Sequence, residues 1–218
     1  MYGELYLSEI KNRLDKIIAT EMDKIAQIAQ KAARSIANGG AVHILDNGHL
    51  LGAEMTARAG GLGLSHMVTV DDVKNPVFVR KGDILFVVSV SGRSRRIVEA
   101  ALVAKKRGVY TVALTARAQN GVAEPEDKKL GLLPDVTDIV LDIHGVAGDA
   151  IIDYPELGKR AIPASGILSV AVMWAFKAEL ISELWKLGIE PTIYTSVNIP
   201  GGEEAFRKEL ERYAQRGY

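Results

Sequence analysis

The segment 83–115, which reads DILFVVSVSGRSRRIVEAALVAKKRGVYTVALT, decides the fold. Its two ends, 83–90 and 109–115, are nearly continuous apolar runs, whereas the apolar residues of 94–108 recur at helical spacing. Apolar strands that alternate with amphipathic helices are typical of a parallel sheet covered by helices on both faces. The segment therefore predicts a strand–helix–strand unit of an α/β fold.

The rest of the chain continues this alternation. Further strands are predicted at 41–45, near 66–70, at 138–143 and at 192–197, and helices at 50–60, within 116–134, at 165–187 and at 203–214. Neither an internal repeat nor a low-complexity linker interrupts the pattern. We therefore predict one three-layer αβα domain over residues 39–218.

Residues 1–38 are predicted to form a separate N-terminal helix. Its apolar residues recur at helical spacing, and Asn38 with the two glycines after it supplies a stop signal. A helix of this length carries more apolar surface than one small sheet can cover. We therefore expect it to act as an oligomerisation element, although packing across its own domain is an alternative.

Composition excludes several classes of function. The 218 residues contain 27 Lys and Arg against 27 Asp and Glu, which does not favour nucleic acid as the main partner. The chain has no cysteine, so disulfides and thiolate chemistry are excluded, as expected for a cytoplasmic protein. We see no signal peptide, and the longest apolar stretch, 166–176, is too short to span a membrane.

The turn SVSGRS, residues 89–94, allows two interpretations. Serine and glycine are what any strand-to-helix turn prefers, but hydroxyls and free N–H groups at a helix N-terminus also form an anion site. Arg95 and Arg96 fall in the first helical turn, where the helix dipole disfavours cations. Cations in that place favour a bound anion, so we expect this turn to hold one.

Other loops after predicted strands offer polar groups, because ligands of open parallel sheets bind beyond the carboxyl ends of the strands. The candidates are Asn47, Gly48, His49 and Glu54 after the first strand, His144 and Asp149 in 144–150, Ser165 before a long helix, and Asn198 after the last strand. No dinucleotide fingerprint or P-loop is present, so a nucleotide is disfavoured. We expect no cofactor and no metal, since three histidines, or two with an aspartate, would have to converge.

The serine turn and its neighbours resemble the sugar isomerase (SIS) domain family. Ser89, Ser91, Gly92 and Ser94 match the motif Ser-x-Ser-Gly-x-Ser/Thr, and a strand with Thr115 follows the helix. The stretch AVHILDNGHLLGAE looks like the family's first loop. RAGGL at 58–62, GDA at 148–150 and SVNIPGG at 196–202 are similar to a branch of phosphoheptose isomerase-like and uncharacterised SIS-domain proteins. The resemblance extends from about residue 35 to the end.

The resemblance implies a five-stranded, flavodoxin-like parallel sheet with the first and second loops side by side. It implies a phosphosugar ligand and a homodimer or homotetramer. By match, Ser89, Ser91 and Ser94, together with Gly92, would hold the phosphate. Asn47, Gly48 and His49 would border it, and Ser165 and Asn198 would lie near the sugar. Arg95 joins this set as the cation beside the phosphate.

Three functions follow from the family. The leading one is an aldose–ketose phosphosugar isomerase, with Glu54 as the base and His49 or His144 as the proton relay. The alternatives are a phosphosugar-binding or regulatory module without turnover and an ether lyase acting on an amino-sugar phosphate. The first loop departs from the family pattern Gly-x-Gly-x-Ser at Asp46 and Leu50, which removes a hydroxyl and adds a negative charge. That departure favours the phosphosugar-binding module without turnover.

Overall fold

The computed structural model of the chain describes residues 1–48 and 51–217, so predictions that concern His49 and Leu50 lie outside the described residues. The helices are α1 (Tyr2–Ala37), α2 (Leu51–Met55), α3 (Val70–Lys74), α4 (Arg95–Lys106), α5 (Arg117–Asn120), α6 (Leu133–Val136), α7 (Ser165–Lys186) and α8 (Gly202–Arg216). The strands are β1 (Val42–Asp46), β2 (Ser65–Met67), β3 (Ile84–Val88), β4 (Tyr110–Thr115), β5 (Ile139–Asp142), β6 (Ala150–Tyr154) and β7 (Lys159–Pro163).

Five strands form a parallel sheet in the order β2-β1-β3-β4-β5. This is the doubly wound, flavodoxin-like order, in which the direction of winding reverses between β1 and β3. The predicted fold class is therefore confirmed. The loops after β1 and β3 lie side by side at the reversal, where the backbone N–H of Asn47 donates to the Val88 carbonyl at 3.1 Å.

The two faces of the sheet bury separate cores. Alternate strand residues such as Ile44 and Phe86 pack with α1 and α7, and the Phe86 ring lies 4.6 Å from that of Phe176. Their neighbours Leu45 and Val87 pack on the opposite face with α3 and α4. Because successive side chains of a strand point to opposite faces, continuously apolar strands produce this three-layer arrangement.

The N-terminal helix α1 lies along α7 and covers one face of the sheet. Its buried stripe comprises Ile10, Arg13, Ile17, Glu21, Ile25, Ile28, Ala29, Ala32, Ala33 and Ile36. Leu7 and Ile18, which share the apolar spacing in the sequence, are instead 66% and 64% exposed. The helix thus packs on its own domain and still presents apolar residues to solvent.

The structure departs from the predicted elements in three places. The predicted strand 192–197 is wrong: this segment makes only an isolated bridge, Leu62 to Ile193, because it pairs with the loop 60–63 beside the short strand β2. The helix predicted over 50–60 ends at Met55. The antiparallel hairpin β6–β7, with Gly158 in the left-handed region at its turn, was not predicted at all.

Among the described residues, no helix is both long enough and apolar enough to cross a membrane. The apolar stretch 166–176 lies within α7, whose buried side packs in the same core as α1 and the sheet. Its composition therefore reflects a core helix of a three-layer domain.

Candidate functional site

The serine turn joins β3 to α4 at the reversal of strand order. Ser89 is buried, and its N–H donates to the Leu114 carbonyl at 3.1 Å. Ser94 is the N-cap of α4, but its hydroxyl makes no capping hydrogen bond. Gly92 has a φ of 62°, and a Cβ there would lie 3.2 Å from both Leu133 Cβ and Pro134 Cδ. Glycine is therefore required at this position for both conformation and space.

Two residues of the next βα connection hold the serine turn in place. The Asn120 side-chain amide donates to the Ser91 carbonyl and to the Thr115 hydroxyl, both at 2.9 Å. Thr115 in turn donates its hydroxyl to the Val90 carbonyl at 2.9 Å. These bonds fix the backbone of the turn through its carbonyls. The sequence analysis did not single out Asn120.

A protein carboxylate lies at the N-terminus of α4. The backbone N–H of Arg95, the first residue of the helix, donates to Oε2 of Glu126 at 2.9 Å. The Glu126 N–H donates to the Arg93 carbonyl at 3.1 Å, and the Arg93 guanidinium donates to the Glu124 carbonyl at 3.1 Å. The stretch 124–127 therefore lies across the start of the helix that the serine turn opens.

The guanidinium of Arg95 also has protein partners. Its Nε donates to Oε1 of Glu99 at 2.7 Å and lies 3.8 Å from Oδ2 of Asp127. The hydrogen bond with Glu99, followed by the charges of Glu99 and Asp127, raises the pKa of Arg95. Cations in the first turn of a helix are expected where a bound anion neutralises them. The carboxylates of Glu99 and Asp127 pair with the Arg95 guanidinium, so its position does not require a bound ligand.

The first loop lies directly beside the serine turn. Asp46 closes β1, and its Oδ2 accepts the Leu51 N–H at 3.0 Å, so this carboxylate caps α2. Asn47 and Gly48 are exposed at the same edge, with Gly48 at a φ of 90°. The predicted adjacency of the two loops is confirmed. The negative charge that Asp46 adds is directed at the helix backbone of α2.

Glu54, the predicted base, lies on α2 and is half-buried. Its Oε1 is 3.5 Å from Nη1 of Arg58, which lies four residues further on, beyond the end of α2. An ion pair of this partly exposed kind is weak, so the carboxylate can exchange partners at little cost. The role of Glu54 as a base stays a prediction.

His144, the predicted relay, follows β5 and contacts α1. Its Nε2 is 2.8 Å from the Thr20 hydroxyl and 3.8 Å from Oε1 of Glu21, and its carbonyl accepts from Arg13 at 2.8 Å. The sequence analysis missed Glu21, which is 3% exposed. The sequence does indicate that Glu21 is buried, because it lies four residues from both Ile17 and Ile25, at the spacing of the buried stripe of α1.

Ser165 is buried at the start of α7 and is bonded to Asp149. The Ser165 hydroxyl donates to Oδ2 of Asp149 at 2.6 Å, and its N–H donates to Oδ1 at 2.8 Å. The Gly148 N–H donates to Oε1 of Gln119 at 2.6 Å, which ties this loop to α5 after β4. Ser165 is thus connected to the same edge of the sheet as the serine turn.

Asn198 lies on the segment before α8. This segment contacts the loop 60–63 and α8, where the Tyr194 ring lies 5.4 Å from that of Phe206. Asn198 itself is exposed, and its N–H lies 3.3 Å from the Ser196 hydroxyl. These contacts belong to the β2 side of the sheet, and the assignment of Asn198 to the sugar stays a prediction.

The carboxyl ends of β1, β3, β4 and β5 are in register, so the loops that follow them share one edge. That edge carries Asn47, Gly48, Ser89, Ser91, Ser94, Thr115 and His144, with Ser165 connected through α5. Within residues 1–48 and 51–217, no cluster of three His, Asp or Glu side chains is arranged to hold a metal. The edge therefore offers hydroxyls, N–H groups and an imidazole.

A separate cavity of about 410 Å³ opens at the other end of the strands. His43, His66, Met67, Phe78 and Arg80 are among its lining residues. Burial, and next the neighbouring His43, lower the pKa of His66. His43 is a buried core histidine bonded to Asp83. This cavity does not include the serine turn.

The sequence profile of the SIS domain matches residues 5–73 and 65–116, about half of the chain. The chain therefore belongs to the SIS domain family, a family of phosphosugar-binding proteins. Among its relatives is the UPF0309 protein GK1441 of Geobacillus kaustophilus, which is 32% identical over 236 aligned residues, 97% of this chain and 94% of that protein.

Two solved structures are similar in fold. One is phosphoheptose isomerase GmhA from Neisseria gonorrhoeae, with a TM-score of 0.54 and 17% identity over 83% of this chain and 96% of that one. The other is the Vibrio vulnificus NanR protein complexed with ManNAc-6P, with a TM-score of 0.53 and 15% identity over 99% of this chain and 69% of that one. At these identities the similarity shows the fold alone.

Proposed function

We propose that the protein is an aldose–ketose phosphosugar isomerase whose serine turn holds the phosphate of its substrate. The observation that carries this proposal is the turn itself. Ser89 and Ser91 belong to the turn that leads into α4, and Ser94 is its N-cap residue. Asn120 and Thr115 donate to the carbonyls of Ser91 and Val90 in this turn. Hydroxyl and N–H donors held in this way at a helix N-terminus favour a phosphate over a neutral group.

The phosphate contact positions the rest of the sugar. It lies at the reversal of strand order, so a sugar bound there extends over the edge formed by the ends of β1, β3, β4 and β5. Binding energy from the non-reacting phosphate orients the reacting carbons. We propose that Asn47, Gly48 and His49 border the phosphate and that Ser165 and Asn198 contact the sugar.

The reaction moves two protons. The C2 proton is taken by a base and returned to C1, and the O2 proton passes to O1, so the aldose carbonyl at C1 becomes a ketose carbonyl at C2. We propose Glu54 as the base and His49 or His144 as the relay between the oxygens. In support, Glu54 has only a weak partner in Arg58, and His144 is oriented by Thr20 beside the carboxylate of Glu21.

The test has two stages. Thermal shift against hexose and heptose phosphates and their unphosphorylated counterparts measures whether the phosphate is recognised. For any phosphosugar that binds, NMR in D₂O measures exchange at C1 and C2. We expect a phosphate-dependent shift that Ser91→Ala reduces, and exchange that Glu54→Gln abolishes. If no phosphosugar shifts the melting temperature, the proposal is wrong.

A second candidate is a phosphosugar-binding module without turnover. It is supported by the fold similarity to the NanR protein complexed with ManNAc-6P and by the protein partners of Asp46 and Glu54. Binding without C1 or C2 exchange, unchanged between wild type and Glu54→Gln, is the result that selects this function.

A further inference from the structure

We propose that the carboxylate of Glu126 occupies the place that a ligand phosphate takes, so that Glu126 competes with the ligand for the start of α4. This inference rests on the proposed phosphate site in the serine turn. In this role Glu126 sets how tightly an anion must bind to the start of α4 in order to replace the carboxylate. The same contact makes the stretch 124–127, which we call the acidic strap, a part of the site.

The competition follows from one hydrogen-bond donor. The Arg95 N–H is the first of the helix, and it points at Oε2 of Glu126 at 2.9 Å. The free N–H groups of the first turn carry the positive end of the helix dipole, so an anion is stabilised there. One N–H can make one good hydrogen bond, so a phosphate seated on this helix start must displace Glu126 from it.

The acidic strap is held by few contacts. Glu124 and Glu126 are exposed. Three hydrogen bonds join the strap to the turn and to the start of α4: the Glu126 N–H to the Arg93 carbonyl, the Arg93 guanidinium to the Glu124 carbonyl, and the Arg95 N–H to the Glu126 carboxylate. Among the described residues, the only further approach is that of Asp127 to Arg95 at 3.8 Å. The chain is firmly anchored again at Leu133, which is buried and whose N–H donates to the Gly92 carbonyl at 2.9 Å. The strap can therefore move while the turn and α6 stay in place.

The consequence is a threshold for anions. A built-in competitor lowers the apparent affinity of every anion by the same factor, namely the fraction of molecules in which the site is open. A phosphate monoester carries about −1.5 to −2 charges at neutral pH and three acceptor oxygens, whereas a carboxylate carries −1 and two. The ratio of the two affinities is unchanged by this factor, but both Kd values rise, so at a given ligand concentration the weaker-binding sugar acids no longer occupy the site while the phosphosugars still do.

The experiment titrates inorganic phosphate and a hexose 6-phosphate into wild type, Glu126→Gln and Glu126→Ala. Binding is followed by calorimetry and by the backbone amide resonance of Arg95. The matched control is Glu124→Gln, since Glu124 is an exposed acid of the same strap whose carbonyl alone contacts the turn. Ser91→Ala reports on the phosphate site itself.

We expect Glu126→Gln and Glu126→Ala to lower the Kd for phosphate by roughly ten-fold, whereas Glu124→Gln changes it less than about two-fold. The Arg95 amide resonance of the Glu126 variants should differ from wild type before ligand is added. If wild type binds phosphate, Ser91→Ala weakens it and the Glu126 variants match wild type, this inference is wrong and the proposed function stands. If neither wild type nor the Glu126 variants bind either probe, both are wrong.

Discussion

Nε2 of His43 lies 3.0 Å from Oδ2 of Asp83, and both side chains are buried between the start of β1 and the start of β3. The Asp83 carboxylate also accepts the N–H of Arg80 at 2.7 Å and that of Ala41 at 2.9 Å. It therefore ties the segments 41–43 and 80–83 together at the end of the sheet opposite the serine turn. Burial alone would raise the pKa of Asp83, but the hydrogen bonds from His43 and from these N–H groups outweigh burial and lower it.

Asp83→Asn should therefore destabilise the protein at neutral pH, by about 1–3 kcal/mol, because buried donors lose a charged acceptor. A lowered pKa in the folded state means that the stabilisation is complete above the pKa of the unfolded carboxyl, about 3.9, and is lost as the pH falls through the lower, folded value. Urea unfolding at pH 7 and below pH 4 measures the difference. Asp23→Asn, at an exposed position of α1, is the control, and an equal effect of both variants would contradict the prediction.

Asn120→Ala should weaken phosphosugar binding by about five- to ten-fold, because the serine turn loses the donor to the Ser91 carbonyl and becomes less ordered. The unfolding free energy should fall by about 1 kcal/mol, as for other lost side-chain hydrogen bonds. Calorimetry with the phosphosugar found by thermal shift measures the first effect. Asn38→Ala removes a comparable amide-to-carbonyl bond at the end of α1 and should leave binding unchanged.

Lys177 should give the protein a stability that increases with pH above 8. Its Nζ donates to the carbonyls of Met55 and Leu62 in the core, and burial lowers its pKa from 10.5 to about 8. Between these two values the unfolded chain binds more protons than the folded one, so the unfolding free energy rises by up to about 1.4 kcal/mol per pH unit.

Chemical denaturation from pH 7 to pH 10 measures this slope. Lys177→Met removes the titrating group and should remove most of the rise, whereas Lys186→Met, at an exposed position of the same helix, should keep it. A wild-type stability that is flat or falls across this range would show that Lys177 is charged in both states.

We also predict that the exposed face of α1 joins two or more copies of the chain into a homodimer or homotetramer. Leu7 and Ile18 stand on this face, and burying them in an interface removes apolar surface from water. The double variant Leu7→Lys with Ile18→Lys should shift the mass measured by light scattering toward the monomer. Lys16→Ala with Asp23→Ala, at exposed positions on another side of α1, is the control, and a monomeric wild-type protein would contradict the prediction.

The sheet and its helices could be predicted because the pattern of apolar residues within each segment is enough to identify it as a strand or a helix. Each strand of the 83–115 unit is apolar on both faces, and α4 has a regular stripe, so periodicity alone defines them. The segment 192–197 was assigned wrongly because its β propensity is satisfied by the loop 60–63, a contact that periodicity cannot reveal.

The candidate site was predictable only in part, for the same reason. The serine turn carries its own chemistry in six consecutive residues, and the strand order places Asn47 beside it. Glu126, Asn120 and Glu21 reach the site from 31, 29 and 121 residues away along the chain from their partners Arg95, Ser91 and Asp142. Such pairings depend on the tertiary fold. Of these three residues, only Glu21 could be singled out from the sequence, because it is a carboxylate within the apolar stripe of α1.

Helix α1 is 36 residues long, which makes it a rod of about 54 Å. In its N-terminal half, Arg13 donates to the His144 carbonyl and the Thr20 hydroxyl is hydrogen-bonded to the His144 ring. Leu7 and Ile18, in the same half of the helix, are exposed to solvent. A rigid helix transmits a shift along its whole length. A partner that shifted the outer side of α1 would therefore also shift the residues that contact His144, and the loop after β5 would report on association.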